Sequence, residues 1–128
     1  MFSFFKKKKA EEVPQEAPAV DVGALREKAQ SLIGELAGAA DTETKVKLLN
    51  EIGECYTKAG DTDEAIKYYE QSLETSRQMG KAYTDLMKLY NIKRQEAAVA
   101  GDDALMKEYM DKVQGLMQSS KDMLRGKA

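Results

Sequence analysis

The chain has 128 residues, of which 20 are Lys or Arg, 22 are Asp or Glu and none is His, so its formal net charge is −2. This length suggests one domain, and a hydrophobic fraction of 42% is sufficient for a core. The absence of His removes the commonest general base and zinc ligand, and a single Cys excludes an internal disulfide framework. We therefore expect no enzyme, no cofactor and no metal site, and the near-neutral charge predicts no nucleic-acid partner.

The first 22 residues differ in composition from the rest of the chain. They contain both prolines and all three phenylalanines, and four lysines follow the last phenylalanine. A secretory signal peptide has the reverse order, with positive charge before a longer apolar run. Residues 1–22 are therefore predicted to be a flexible tail and residues 23–128 the folded domain. The lone Cys55 favours a reducing compartment, so we expect a cytoplasmic protein, and its small size suits a bacterial source.

The aromatic and lysine residues of the tail have two interpretations. Phenylalanine rings can insert at a bilayer interface while lysines contact anionic lipid, each Lys contributing about 1 kcal/mol, which would make this a peripheral membrane adaptor. The alternative is an unstructured segment whose lysines aid solubility. The residues concerned are Phe2, Phe4, Phe5, Lys6, Lys7, Lys8 and Lys9.

Residues 23–128 contain no proline and are rich in good helix formers, which predicts an all-α fold. Four glycines follow apolar-periodic segments and are predicted to end helices with positive φ, namely Gly38, Gly60, Gly80 and Gly101. Asp41, Asp61 and Asp102 are predicted N-caps, and Asp61 with Glu64 has the spacing of a capping box. These boundaries predict five helices, over residues 23–38, 42–59, 62–79, 81–99 and 103–124.

The chain also contains an internal repeat. The sequence Lys-Leu-Leu-Asn at residues 47–50 recurs as Lys-Leu-Tyr-Asn at 88–91, and Ala-Gly-Asp at 59–61 recurs at 100–102, both at a shift of 41. The helix after this turn repeats at a shift of 40, and the first predicted helix matches the third at 41. The predicted order is therefore one extra helix followed by two helical hairpins.

Within the first hairpin, residues 46–79 resemble the tetratricopeptide repeat. Six residues stand in order at that family's spacing: Leu49, Ile52, Gly53, Tyr56, Ala65 and Tyr69. The two small residues allow the paired helices to approach closely, and the two tyrosines fill the space between them. Arg77 stands where the family usually has the proline that ends the second helix, which predicts a helix that continues toward Gly80. The second unit matches less well, because Lys93 and Arg94 occupy the Leu-Gly places.

The resemblance implies a short right-handed solenoid of helical hairpins that acts as a non-catalytic scaffold or adaptor for a protein partner. In such arrays the first helices of the hairpins line a concave groove that binds a peptide or a partner helix. By register, the groove residues are predicted to be Lys47, Asn50, Glu54, Lys58, Lys88, Asn91 and Gln95. The alternative is that these residues form a solvated helix face. Because Glu54 stands where a carboxylate clamp would have a second amide, binding of chaperone tails is not predicted.

The last predicted helix has an apolar stripe that is wider than one neighbouring helix requires. Methionine is adaptable and common at promiscuous surfaces, so this stripe is a predicted docking face for a partner or for a second copy, which would give a homo-oligomer. Its residues are Met106, Met110, Val113 and Met117. The alternative is that the preceding helix and the extended end of the third helix bury it.

Overall fold

The computed structural model describes residues 20–78 and 80–125, and these form five α-helices and no β-strand. The helices are α1 (Val22–Ala37), α2 (Thr42–Ala59), α3 (Thr62–Thr75), α4 (Lys81–Ala100) and α5 (Asp103–Leu124). Each helix packs against the next one along the chain, so α2 with α3 and α4 with α5 form hairpins, and α1 packs on α2. The predicted all-α helical repeat is confirmed.

One continuous hydrophobic core runs between the helices, and all five contribute to it. Ile52, Tyr69 and Leu86 are its largest fully buried apolar side chains. Among the described residues the one buried polar side chain is Ser72, whose hydroxyl donates a 2.7 Å hydrogen bond to Oδ1 of Asn50. This bond satisfies a group whose burial would otherwise be unfavourable. Cys55 is buried, as a packing residue is expected to be.

The duplicated Ala-Gly-Asp turns have the same structure in both hairpins. Gly60 and Gly101 end α2 and α4 with φ of 84° and 73°, a left-handed conformation that favours glycine. The Asp102 carboxylate accepts a hydrogen bond from the backbone N–H of Leu105 at 3.0 Å, and Asp41 caps α2 in the same way through Thr44. The caps predicted at these four positions are confirmed.

The predicted end of the third helix is wrong. Helix α3 ends at Thr75, and Ser76 is already extended. The Thr75 hydroxyl donates to the carbonyl oxygen of Gln71, and both Thr75 and Ser76 are residues with low helix propensity, so nothing favours a further turn. Gly80 instead precedes α4 as its N-cap. Gly80 and Gly38 have φ of −153° and −97°, so the positive φ predicted for both is wrong as well.

The predicted capping box at Asp61 is also absent, because its carboxylate is engaged elsewhere. Nε and Nη2 of Arg26 on α1 donate to its two oxygens at 2.7 and 2.8 Å. This bidentate pair attaches the first turn of α1 to the turn between α2 and α3. The guanidinium lowers the pKa of Asp61 through this hydrogen bond.

Helices α2 and α3 approach each other closely at Gly53. A Cβ atom at this position would stand 2.8 Å from Cζ of Tyr69. The Tyr69 side chain is fully buried, and its hydroxyl donates a 2.8 Å hydrogen bond to Oδ2 of Asp85 on α4. The ring therefore occupies space that only a glycine leaves open, which gives the predicted Gly-Tyr pairing a direct physical basis.

We expect Gly53→Ala to destabilise the fold, because the Tyr69 ring cannot move without leaving its hydrogen bond. Overpacking costs about 1–3 kcal/mol, and the higher helix propensity of Ala returns about 1 kcal/mol, so a net loss of up to about 2 kcal/mol is expected. Gly115 on α5 is the matched control, because a Cβ there meets no atom within 4 Å. Gly115→Ala should stabilise the protein by about 0.5–1 kcal/mol. Urea unfolding followed by circular dichroism measures both, and equal signs would contradict this account.

Candidate partner-binding surfaces

A chain of polar contacts joins α2, α3 and α4 on one side of the molecule. The Asp85 carboxylate accepts from the Tyr69 hydroxyl and lies 3.0 Å from Nζ of Lys81. Nζ of Lys81 is in turn 3.8 Å from Oε2 of Glu54, which also pairs with Lys58 at 3.3 Å. Two predicted groove residues, Glu54 and Lys58, thus lie together where α2 approaches the start of α4.

Burial and hydrogen bonding shift the acidity of this network. Burial raises the pKa of the Tyr69 hydroxyl, and its hydrogen bond to Asp85 raises that pKa further. Burial also pushes the pKa of Asp85 upward, but the hydrogen bonds from Lys81 and Tyr69 and the charge of Lys81 outweigh it, and the net shift is downward. Asp85 is therefore ionised in the folded protein and links α4 to α3 as an anion.

The two asparagines of the repeated motif are hydrogen-bonded within the protein. Oδ1 of Asn50 accepts from Ser72, so this side chain connects α2 with α3. Asn91 donates to the carbonyl oxygen of Met87 at 3.0 Å and accepts from Nε of Arg94 at 3.2 Å, both on α4. Asparagine therefore connects two helices in the first repeat and bonds within one helix in the second.

The other predicted groove residues do not converge on one site. Lys47 lies beside the end of α1, where it lines a depression with Gly34 and Thr44. Lys88 is exposed on α4, and Gln95 lines a different shallow pocket on the same helix. The structure thus brings Glu54 and Lys58 into contact, whereas Lys47 lies on the same face near the other end of α2, and Lys88 and Gln95 lie on α4.

The predicted docking face on α5 is partly open to solvent. Met110 and Met117 are 43% and 48% exposed, and Met106 and Val113 are half-buried. The predicted cover by an extended third helix does not exist, because α3 ends at Thr75. Leu124 extends the same stripe and is 75% exposed.

This stripe lies on the side of α5 that faces away from α3. Nζ of Lys112 is 3.3 Å from Oε2 of Glu70 on α3, and Ser119 lines a depression with Leu73 of α3. At 3.6 residues per turn, Met110 and Met117 lie almost opposite Lys112 and Ser119. Val113, at one edge of this stripe, packs against the core, whereas Met110 and Met117 remain the more exposed residues of the stripe.

The repeat shows what this side of a helix normally contacts. Met110 corresponds to Glu70 at the shift of 40, and Glu70 accepts a 2.5 Å hydrogen bond from the Tyr90 hydroxyl of α4. Met106 corresponds in the same way to Ile66, which is buried. On α3 the position of Glu70 therefore contacts the first helix of the following hairpin, and on α5 the equivalent residue is Met110, which is partly exposed.

The sequence analysis did not identify two polar connections between helices. One is the Arg26–Asp61 pair, and the other joins Tyr90, Glu70 and Lys112 on α4, α3 and α5. Burial raises the pKa of Tyr90, and its hydrogen bond to Glu70 adds to that effect. Neither connection has a signal at helical spacing, because the partners are separated by 20 to 42 residues.

The comparisons with known proteins agree with the fold. The family model described as a tetratricopeptide repeat matches residues 48–83, which cover most of α2, all of α3 and the start of α4. No curated protein and no solved structure matches the chain. The resemblance predicted for the first hairpin is thus confirmed over residues 48–83.

The membrane contact predicted for Phe2, Phe4, Phe5 and Lys6 to Lys9 falls outside the described residues. Of the helices that the structure describes, none combines the length and apolar character required to cross a bilayer. Among the residues that the structure describes, no group of three or more Asp, Glu or Cys side chains could hold a metal ion.

The lowered pKa of Asp85 predicts a specific dependence of stability on pH. A group whose pKa is depressed in the folded state stabilises it above the unfolded pKa, here about 3.9, and this contribution is lost as the pH falls through the folded pKa. We expect Asp85→Asn to lose about 1–2 kcal/mol at neutral pH and to show a shallower decline in unfolding free energy below about pH 4. Urea titrations at successive pH values measure this decline.

Asp111→Asn is the matched control for this experiment. Asp111 pairs with Lys107 at 2.9 Å, but both side chains are well exposed. Exposed pairs contribute little, so the change should stay below about 0.5 kcal/mol at any pH. Identical acid profiles for the wild type and Asp85→Asn would contradict the proposed role of Asp85.

Proposed function

We propose that this chain is a non-catalytic interaction module that binds an amphipathic helix of a protein partner on α5. Tetratricopeptide repeats are typically non-catalytic interaction modules, and the family match supports such a role in general. The docking surface in this proposal consists of Met106, Met110, Val113 and Met117. The observation that carries the proposal is the exposure of Met110 and Met117, together with the contact that Glu70, the counterpart of Met110, makes with the following helix.

The geometry favours this face over the concave groove. Two of the seven groove residues predicted by register, Asn50 and Asn91, are hydrogen-bonded within the protein. A peptide would have to compete with those bonds, whereas a helix on α5 would cover apolar surface that water now contacts. Removal of apolar surface from water is the main favourable term in most protein association.

The chemistry of the α5 face indicates the kind of partner. Methionine side chains are unbranched and adapt to different apolar shapes, so they suit a helix with its own apolar stripe. Full burial of one Met contributes about 1.5–3 kcal/mol, and these residues are already half-covered, so each adds roughly half of that. Because association itself costs several kcal/mol, the partner must contribute apolar residues over at least two helical turns.

Two alternatives predict different occupants. A second copy of the chain could cover the α5 face, which would give a homo-oligomer that light scattering detects and that Met110→Lys with Met117→Lys abolishes. A peripheral membrane adaptor would require residues 2–9, and sedimentation with anionic vesicles before and after their deletion tests it. A cytoplasmic location, predicted from the sequence, accords with each alternative and remains a prediction.

We expect helical peptides selected for binding by phage display to have apolar residues at the spacing of one helix face and to shift the methyl NMR signals of Met110 and Met117. Met87 is the internal reference, because it packs against the core. The double variant Met110→Lys, Met117→Lys should weaken binding by about tenfold or more, since two charges would be desolvated.

The control is the double variant Lys47→Ala, Lys88→Ala, which changes two exposed residues of the predicted groove. It should leave the affinity of these peptides unchanged and the fold intact. If instead this variant abolishes binding while the methionine variant retains it, the partner binds in the groove and the proposal for α5 is wrong.

A further inference from the structure

A second exposed apolar strip lies on α4. Ile92 and Val99 are 43% and 88% exposed, and with Gln95, Glu96 and Ala100 they line a shallow pocket. In the first repeat, the positions equivalent to Ile92 and Val99 at the shift of 41 are the charged residues Glu51 and Lys58. The second repeat therefore has apolar side chains where the first has charged ones. Contact with solvent does not favour apolar side chains at these exposed positions.

This strip continues the face of α4 that turns toward α2 and α3. Lys81 and Asp85, which contact Glu54 and Tyr69, lie on that face. Val99 follows Lys81 by 18 residues and Ile92 follows Asp85 by 7, and both spacings are close to whole numbers of helical turns. The four residues therefore lie on one face of α4. The α4 strip is therefore separate from the α5 face described above.

The α4 strip also extends past the N-terminal end of α3. Nζ of Lys93 lies 3.0 Å from Oδ1 of Asp63, which belongs to the first turn of α3. Because α3 and α4 run in opposite directions, the residues of α4 after Lys93 project beyond the turn between α2 and α3. Val99 thus has no neighbour on this side among the described helices, which accounts for its exposure.

Acidic side chains surround this end of α4. Asp61, Asp63, Glu64 and Glu96 line a depression next to the strip; Arg26 pairs with Asp61 and Lys93 with Asp63, which leaves an excess of negative charge. The side chains of Asp63 and Glu96 are 74% and 63% exposed. The N-cap of α5, Asp102, and its first residue, Asp103, are also acidic. A ligand for the strip should therefore combine apolar groups with positive charge.

The described chain begins at the same end of the molecule. The bidentate pair between Arg26 and Asp61 places the first turn of α1 at the turn between α2 and α3. Residues 1–19 precede the described part, and the ten residues from 10 to 19 can span up to about 33 Å when extended. This length is sufficient to reach α4 from the start of α1, since both border the Asp61–Glu64 region.

We propose that residues 2–9 of this same chain bind to the α4 strip. Its three phenylalanines match the apolar surface of Ile92 and Val99, and its four lysines match the surrounding acids. The contact is intramolecular, because residues 2–9 and the α4 strip that they cover belong to the same chain. This interaction is independent of the α5 face, and it withholds the phenylalanines from other apolar surfaces while it persists.

The test is methyl NMR of the full chain and of a variant that lacks residues 2–9. Deletion should shift the methyl signals of Ile92 and Val99 and leave those of Val113 on α5 unchanged. The shifts should be independent of protein concentration, because the segment and the strip belong to one chain. High salt should weaken the interaction, since exposed charges are screened.

Proteolysis supplies a second measurement on variants that keep the fold. Ile92→Ser with Val99→Ser should speed tryptic cleavage at Lys6 to Lys9 several-fold by releasing the segment. The matched control, Met110→Ser with Met117→Ser, removes a comparable exposed apolar surface on α5 and should leave the cleavage rate unchanged. Circular dichroism verifies that both variants are folded.

Three outcomes would overturn the proposal. Deletion that leaves the Ile92 and Val99 signals in place shows that residues 2–9 do not contact the strip. Signals that change on dilution show that the segment comes from a second copy. Equal cleavage rates in both double variants, together with vesicle binding that requires residues 2–9, show that a lipid surface is its ligand instead.

Discussion

The structure depends on the close approach of α2 and α3 at Gly53, where the ring of Tyr69 occupies the space of a missing side chain. This contact brings the tyrosine to a depth at which its hydroxyl reaches Asp85 on the next hairpin. One residue thereby fixes the packing within the first hairpin and the position of the second. A bulkier residue at position 53 would move the ring and disturb both relations, because protein interiors are close-packed.

The second repeat keeps the turns of the first but not its helix contacts. Ile52 is a core residue, and its counterpart Lys93 instead extends to Asp63 at the surface. In the second hairpin Arg94 stands at the position of Gly53, and Tyr109, the counterpart of Tyr69, packs beside Tyr90 with ring centroids 6.0 Å apart. The two repeats therefore share the geometry of their turns, whereas different residues form the interfaces between their helices.

This divergence also determines where apolar surface remains exposed. On α5, Met110 occupies the position of Glu70, which on α3 bonds to the following helix, and on α4, Ile92 and Val99 occupy positions that are charged in α2. The two surfaces lie on different sides of the second hairpin and differ in their electrostatic surroundings. The α4 strip has acidic neighbours, whereas the α5 face consists largely of methionine, so the two suit ligands of different charge.

The sequence by itself determined the helices, the two glycine turns and the repeat, because these follow from local propensity and from short spacings such as that of Gly53 and Tyr69. It also predicted the methionine stripe as a set of residues on one face. The tertiary structure decided which groups remained accessible. Asn50 was predicted to face a ligand and bonds to Ser72, Asp61 was predicted to cap a helix and binds Arg26, and α3 stops short of covering α5. These outcomes depend on residues that are distant in sequence, and local patterns carry no information about such partners.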